Sequence, residues 1–227
     1  MVWSCLVSIL PGMAQTEKLT DYVNPFVGTD GYGNVYPGAQ IPFGGIQISP
    51  DTDSRFYDAA SGYKYNHLTL MGFSLTHLSG TGIPDLGDFL FIPGTGEMKL
   101  EPGTHEDPDQ GYRSRYSHDK EWASPNYYAV ELADYGVKAE MTSGVRSGMF
   151  RFTYPESDNA FIMIDMNHTL WQSCEWSNLR MINDSTITGY KLVKGWGPER
   201  HVYFTATFSK KLTGLRFVQD KKPVIYN

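Results

Sequence analysis

The stretch GVKAEMTSGVRSGMFRFTYP, Gly136 to Pro155, decides the fold. Apolar and polar residues alternate with a period of two from Val137 to Thr142, and again from Met149 to Thr153. Successive side chains of a strand point to opposite faces, so each run describes a strand with one face in a core and the other in water. Outward from it lie further strand candidates: YYAVELAD (127–134), NAFIMIDMN (159–167), STITGYKLVKGW (185–196) and HVYFTATFS (201–209). They recur roughly every ten residues, with turns such as ADYGVK and PESDNA between them, which is the rhythm of an antiparallel sandwich. No window longer than a few turns keeps a 3.6-residue apolar stripe. The expected fold class is all-β, an antiparallel β-sandwich.

Toward the N-terminus, from Tyr22 to Gly111, turn signals dominate: GTDGYGNVYPGA, SPDTDSRFYDAASGY, SGTGIPDLGD and IPGTGE, separated by short apolar runs such as GGIQIS and FLFIP. These read as strands carrying long loops on one edge of the sandwich.

The 227 residues suffice for one sizeable core. A formal net charge of −6, with no basic cluster to track a phosphate backbone, argues against nucleic acid as a partner. Residues 1–14 read as a truncated signal peptide: an apolar run from Val2 to Leu10, a Pro-Gly break, then Gly12-Met13-Ala14 before the cut. The mature domain is expected to be 15–227, exported to a periplasmic or extracellular location. The nine-residue run is too short to span a bilayer. With that segment removed only Cys174 remains, so an intramolecular disulfide and a cysteine-based metal cluster are excluded.

Two loops could carry chemistry. In GFSLTHLSGTGIPDLGDF (72–89), Gly80, Gly82 and Gly87 permit positive φ and close backbone approach, while His77, Ser79 and Thr81 supply donors and acceptors. The alternative is a tight connection with a buried, satisfied His77. It is not a phosphate loop, since the lysine and following helix pattern are absent. In SPDTDSRFYDAASGYKYNH (49–67), Phe56, Tyr57, Tyr63 and Tyr65 stand among small and acidic residues, a mixture suited to the C–H faces and hydroxyls of sugars. Asp51, Asp53 and Asp58 read as turn formers or as oxygen ligands without calcium-loop spacing. His118, Asp119 and Glu121 in SHDKEW offer no third ligand in sequence. Trp171, Trp176 and Trp196 read as pocket-rim or core residues, with at least two of them expected in the core.

The ordered motifs YVNPFVGTDGYGNVYPGAQIPFGGIQISPDT, SGYKY, GFSLTHLSGTGIPDLGDF, YSHDKEWASPNYYAVEL, GVKAEMTSGVRSGMFRFTYP, ITGYKLVKGWG and VYFTATFSKKL resemble the N-terminal domain of glycoside hydrolase family 92 from Tyr22 to Leu212. The resemblance implies an exo-acting, inverting, calcium-dependent α-mannosidase of bacterial type, with an N-terminal β-sandwich and a C-terminal (α/α)6 barrel. It departs from the family where Tyr57 replaces a tryptophan, Lys64 a histidine within SGYHY, and Leu75 the first histidine of FSHTHLSGTG.

The implied substrate-binding residues are Tyr57, Asp58, Gly62, Tyr63, His77, Ser79, Gly80, Thr81 and Gly82. No catalytic residue or metal ligand is assigned to this chain. The resemblance places the catalytic acid and base, with the main calcium ligands, in the barrel. The implied partners are mannose-containing glycans and the C-terminal barrel of the same enzyme. A stand-alone carbohydrate-binding module and a purely structural domain are the alternatives.

Overall fold

The computed structural model of the chain describes residues 17–55, 57–219 and 222–224. Among them run β1 (Ser49–Asp51), β2 (Thr69–Leu70), β3 (Gly72–Ser74), β4 (Leu90–Thr95), β5 (Ser114–Arg115), β6 (Glu121–Ser124), β7 (Tyr127–Leu132), β8 (Val137–Ser143), β9 (Gly148–Thr153) and β10 (Ala160–Asp165). They are followed by β11 (Ser173–Asn183), β12 (Thr186–Lys194), β13 (Arg200–Thr207), β14 (Phe217–Gln219) and β15 (Lys222–Val224). Helix among the described residues is limited to short 3-10 turns at Leu19–Tyr22, Pro108–Gln110 and His118–Lys120. The all-β expectation holds, every strand pair is antiparallel, and no helical barrel occurs among these residues.

Three sheets make the body. The first is the meander β6-β7-β8-β9, the second has the order β1-β3-β4-β10, and the third is the meander β11-β12-β13. Gly136–Pro155 supplies β8 and β9, paired from Lys138↔Thr153 to Ser143↔Gly148. Val137, Ala139 and Met141 are buried, as the alternation requires. Gly136 closes the β7–β8 hairpin at φ +62°, in the left-handed region that glycine enters without steric cost.

The main core contains residues of the first two sheets. Phe73 of β3 lies with its ring centroid 6.4 and 6.3 Å from those of Phe150 and Phe152 on β9, in the cluster that includes Ile48, Leu70, Tyr128, Val130 and Met141. A second cluster joins Leu90 and Ile92 of β4 to Met71 and Tyr112. Phe91, between them on the strand, meets Phe150 and Phe204 instead. Burial on both faces is why FLFIP reads as an unbroken apolar run rather than an alternating one.

Three expectations are corrected. GGIQIS is not a strand through its length: β1 begins at Ser49, and Ile48 forms only an isolated bridge with Ala39. Ser173–Asn183, which is not among the strand candidates, is an eleven-residue strand, bulged between Cys174 and Trp176 and between Met181 and Asn183. Trp171, Trp176 and Trp196 are 54%, 53% and 57% exposed, so none of them is a core residue of the described chain.

Met141 and Met149 test the sandwich with one chemistry. Met141 is 2% exposed and Met149 68%. Met141→Ala is expected to lower the urea-unfolding free energy by about 2–5 kcal/mol, through lost burial and a residual cavity. Met149→Ala should stay within about 0.5 kcal/mol of the parent. Equal effects at the two positions would contradict the assignment of faces.

Candidate functional site

The two loops singled out in sequence meet at a buried carboxylate. Asp51, the last residue of β1, is completely buried. Its Oδ1 lies 2.8 Å from His77 Nε2, and its Oδ2 2.7 Å from His168 Nε2. His77 Nδ1 is 2.7 Å from the Gln47 carbonyl, to which only an N–H can bond, and its Nε2 also lies 3.0 Å from Ser74 Oγ. Burial alone would raise the Asp51 carboxyl. The charges and hydrogen bonds of His77 and His168 outweigh it and hold the group well below the usual carboxylate range.

This arrangement dictates Gly62. The residue has φ +86°, and a Cβ there would overlap Asp51 Oδ1 and press on the His77 ring. Its carbonyl accepts from the Thr52 amide at 2.6 Å, which folds the 52–68 loop back over the end of β1. Next to it, Tyr63 runs inward, its hydroxyl 2.9 Å from Oε1 of the buried Glu121. Glu121 also accepts from the Tyr128 hydroxyl at 2.6 Å and lies 2.6 Å from His118 Nδ1. His118 in turn reaches the Tyr65 carbonyl and stacks on the Tyr65 ring, centroids 3.9 Å apart. The histidine and glutamate of SHDKEW thus fasten the 52–68 loop to β6.

The nine proposed substrate-binding residues divide by this geometry. Gly62, Tyr63 and His77 are buried, and the polar atoms of His77 and Tyr63 engage Asp51, Gln47, Ser74 and Glu121, which puts these two side chains beneath the loop surface. Tyr57, Asp58, Ser79, Gly80 and Gly82 are exposed, and Thr81 is half-buried. The Gly80 amide donates to the Asn34 carbonyl at 2.7 Å, tying the glycine-rich turn to the GTDGYGNVY loop. Two open clefts, one at Gly136 and Tyr154 and one between Lys99, Asp109 and Arg113, contain none of the nine.

Beyond the turn the loop is held by charge. Asp88 pairs with Lys191, which is buried on β12, at 3.0 Å and with Arg200, and accepts from Thr76 Oγ1 at 2.7 Å. Asp85 accepts from the Trp196 amide at 2.8 Å. The Leu86 carbonyl accepts from the Leu170 amide, and the Pro84 carbonyl from Gln172 Nε2. Trp171 and Trp196 therefore flank the Pro84–Leu86 segment with their rings half in solvent. Of the two places the sequence leaves open for these tryptophans, core or rim, both take the surface one. The juxtaposition of Gly195-Trp196 with Asp85 comes from sheet packing, and no local pattern carries it.

Asp53, His67 and His105 form the described cluster of three or more His, Cys, Asp or Glu residues whose ligand atoms converge, within 4.8 Å of one another. Burial, then the charges of His105 and nearby cations, pushes the His67 imidazole down to about 4. Two imidazoles and one carboxylate do not fit calcium, which takes six to eight oxygen ligands.

Removing the His77 ring tests its supporting role. His77→Ala leaves the buried Asp51 carboxylate short of a partner and should cost about 3–5 kcal/mol in urea unfolding. A variant as stable as the parent would return His77 to the surface-contact reading. The pH dependence has a fixed sign. The Asp51 carboxyl is depressed on folding, so its contribution is fully present above about pH 4 and is lost as pH falls through the folded value. The melting temperature should therefore drop on acidification below about pH 4, and Asp51→Asn should flatten that drop.

Comparison with known proteins agrees with this architecture. Residues 22–226 match the glycosyl hydrolase family 92 N-terminal domain. The chain is 30% identical over 139 residues to an uncharacterized secreted glycosidase of Arthroderma benhamiae, covering 60% of this chain and 17% of that protein. Among solved structures it resembles the family GH92 glycosyl hydrolase ccman5, with TM-score 0.68 and 27% identity, over 82% of this chain and 26% of that one. It also resembles a GH92 inverting mannosidase of Bacteroides thetaiotaomicron, with TM-score 0.65 and 25% identity, over 84% of this chain and 25% of that one. The chain thus spans about a quarter or less of the length of these relatives.

Proposed function

The chain belongs to glycoside hydrolase family 92, whose N-terminal domain it matches from residue 22 to 226, and from that premise we propose that it is the β-sandwich domain of an exported, exo-acting, inverting α-mannosidase. The likeness to a solved inverting mannosidase carries this reading. In it, the domain forms one wall of a site shared with a catalytic (α/α)6 domain lying outside these residues. Inversion needs a general acid and a general base roughly 6.5–9.5 Å apart with water between them, and both are assigned to that second domain together with calcium.

The role of the present residues is to bind and orient. The turn Ser79–Gly82 offers backbone groups and the Thr81 hydroxyl at the surface, and Tyr57 offers a ring for the apolar face of a mannose. Rigidity comes from beneath. Asp51, His77 and His168 fix one end of the loop, and Asp88 with Lys191 and Arg200 fixes the other. A loop held at both ends by buried charge presents its turn in one geometry, which lowers the cost of ordering it around a sugar. Export is supported by the secreted glycosidase among the relatives. The described residues contain no helix long and apolar enough to cross a membrane. The segment 1–14, read as a signal peptide, lies outside them.

The test uses two proteins. Residues 1–227 alone should not hydrolyse an aryl α-mannoside, with or without calcium. In the enzyme carrying the catalytic domain, Tyr57→Ala should lower kcat/KM by roughly two- to twelve-fold, the equivalent of about 0.5–1.5 kcal/mol of ring stacking, with the melting temperature unchanged. Turnover by residues 1–227 that is abolished by a carboxylate substitution within them would overturn the division of labour. An unchanged kcat/KM for Tyr57→Ala would remove Tyr57 from the site.

A further inference from the structure

Asp53, His67 and His105 come from three separate segments: just after β1, just before β2, and the long loop between β4 and β5. Each imidazole is anchored at Nδ1 by a threonine hydroxyl, His67 by Thr52 at 3.0 Å and His105 by Thr69 at 2.8 Å. The Thr52 hydroxyl also accepts from the Lys64 amide at 3.0 Å and lies 3.4 Å from the Gly62 carbonyl; in the tautomer whose Nδ1–H donates to Thr52, His67 Nε2 keeps its lone pair for a ligand. His105 Nε2 points to Asp53, 3.2 Å from Oδ2. The two rings sit in contact, centroids 4.1 Å apart and tilted by 48°. A hydrogen bond at the nitrogen away from the ion, here from each Nδ1 to a threonine hydroxyl, fixes ring orientation as outer-shell partners of metal-binding histidines do.

The charge now on Asp53 is a guanidinium. Arg55 Nε lies 2.8 Å from Asp53 Oδ2 and 3.1 Å from Oδ1, and Nη2 lies 2.6 Å from Oδ2. The Arg55 side chain is 63% exposed, and its Nη2 is also 3.4 Å from Asp58 Oδ2. An exposed arginine with a second carboxylate within reach can leave Asp53 without being stranded. Arg113 is different: buried, it donates to the Thr52 carbonyl and to Thr69 Oγ1, and remains a fixed positive charge beneath the same two threonines.

We propose that Asp53, His67 and His105 bind a divalent transition metal of the zinc type, with Arg55 as a removable plug that moves to Asp58 when the ion enters. Two nitrogen donors and one carboxylate suit zinc, nickel or copper and not calcium, so this site is separate from the calcium attributed to the catalytic domain. Three protein ligands leave a fourth position for water. The fixed charge of Arg113 opposes the ion and sets the affinity lower than that of a closed structural zinc site.

The experiment is a calorimetric titration of the full chain, stripped with chelator and dialysed, with zinc chloride, repeated with cobalt(II) followed by visible absorption. The expected result is one ion per chain, with binding weakened at least about tenfold in His67→Gln and in His105→Gln. Arg55→Ala should strengthen binding, because the ion no longer competes with the guanidinium for Asp53. Arg55 is exposed, so this variant tests the proposal even where a histidine variant fails to fold. Absence of saturable binding overturns the proposal, and so does binding that survives both histidine substitutions, which would place the ion elsewhere. Weaker binding in Arg55→Ala overturns it as well, since a plug that is removed cannot lower affinity.

Discussion

The loop-bearing edge of this domain depends on one buried carboxylate. An isolated ionised carboxylate away from water costs many kcal/mol, and the group would take up a proton rather than remain charged. Asp51 avoids this with an imidazole on each oxygen, 2.8 and 2.7 Å away. The two imidazoles come from the glycine-rich loop and from the segment after β10. Three stretches of chain far apart in sequence are thereby held to one point, and each has consequences around it. Gly62 must lack a side chain because Asp51 Oδ1 occupies its Cβ position, and Ser74 faces the same ring nitrogen that Asp51 engages.

The glycine-rich loop is fixed at its other end by charge as well. Lys191, entirely buried, meets Asp88, whose carboxyl is subject to opposing effects: burial pushes it up, while Lys191 and Arg200 pull it down, and the net result is depression. Apolar packing could not do this work here, since the segment from Ser79 to Ile83 is largely exposed and has little hydrophobic area to bury. The apolar core lies elsewhere, in the cluster of Phe73, Phe150 and Phe152 with Tyr128 and Met141. The molecule thus divides its forces: the sandwich body rests on apolar packing, and the loops rest on buried ion pairs. Breaking one partner of such a pair is more costly than losing a surface contact, so the loops carry a rigidity that their glycine content alone would not suggest.

How far this could be read from sequence follows the same division. The β8 and β9 strands were readable because one face is apolar and the other wet, and Val137, Ala139 and Met141 are buried accordingly. β11 was not, because its residues are mostly polar and two bulges break its period, so it is defined by pairing with β12 rather than by its own pattern. The glycine-rich loop is recognisable as special, yet the sequence leaves His77 open between a sugar-facing and a buried, satisfied position. A histidine beside glycines gives no sign of which way it turns; Asp51 and the Gln47 carbonyl decide that, and both lie on another segment. Likewise His67 and His105 share no motif, and only the fold brings them to Asp53.

Three carboxylates near these loops face histidine, and their surroundings separate them by what they can do. Asp51 is closed: both oxygens carry an imidazole, and no solvent reaches it. Glu121 is closed too, taking hydroxyls from Tyr63 and Tyr128 as well as His118. Exchange at either would leave a buried group unsatisfied, which is the costly direction of any hydrogen-bond substitution. Asp53 alone of the three is held by a partner standing mostly in water, and that partner has Asp58 beside it. Replacing Arg55 there exposes a cation that solvent and Asp58 can take up, and it leaves no buried orphan. Position in the fold, rather than residue type, thus makes two of these clusters structural and leaves the third able to trade its cation for another.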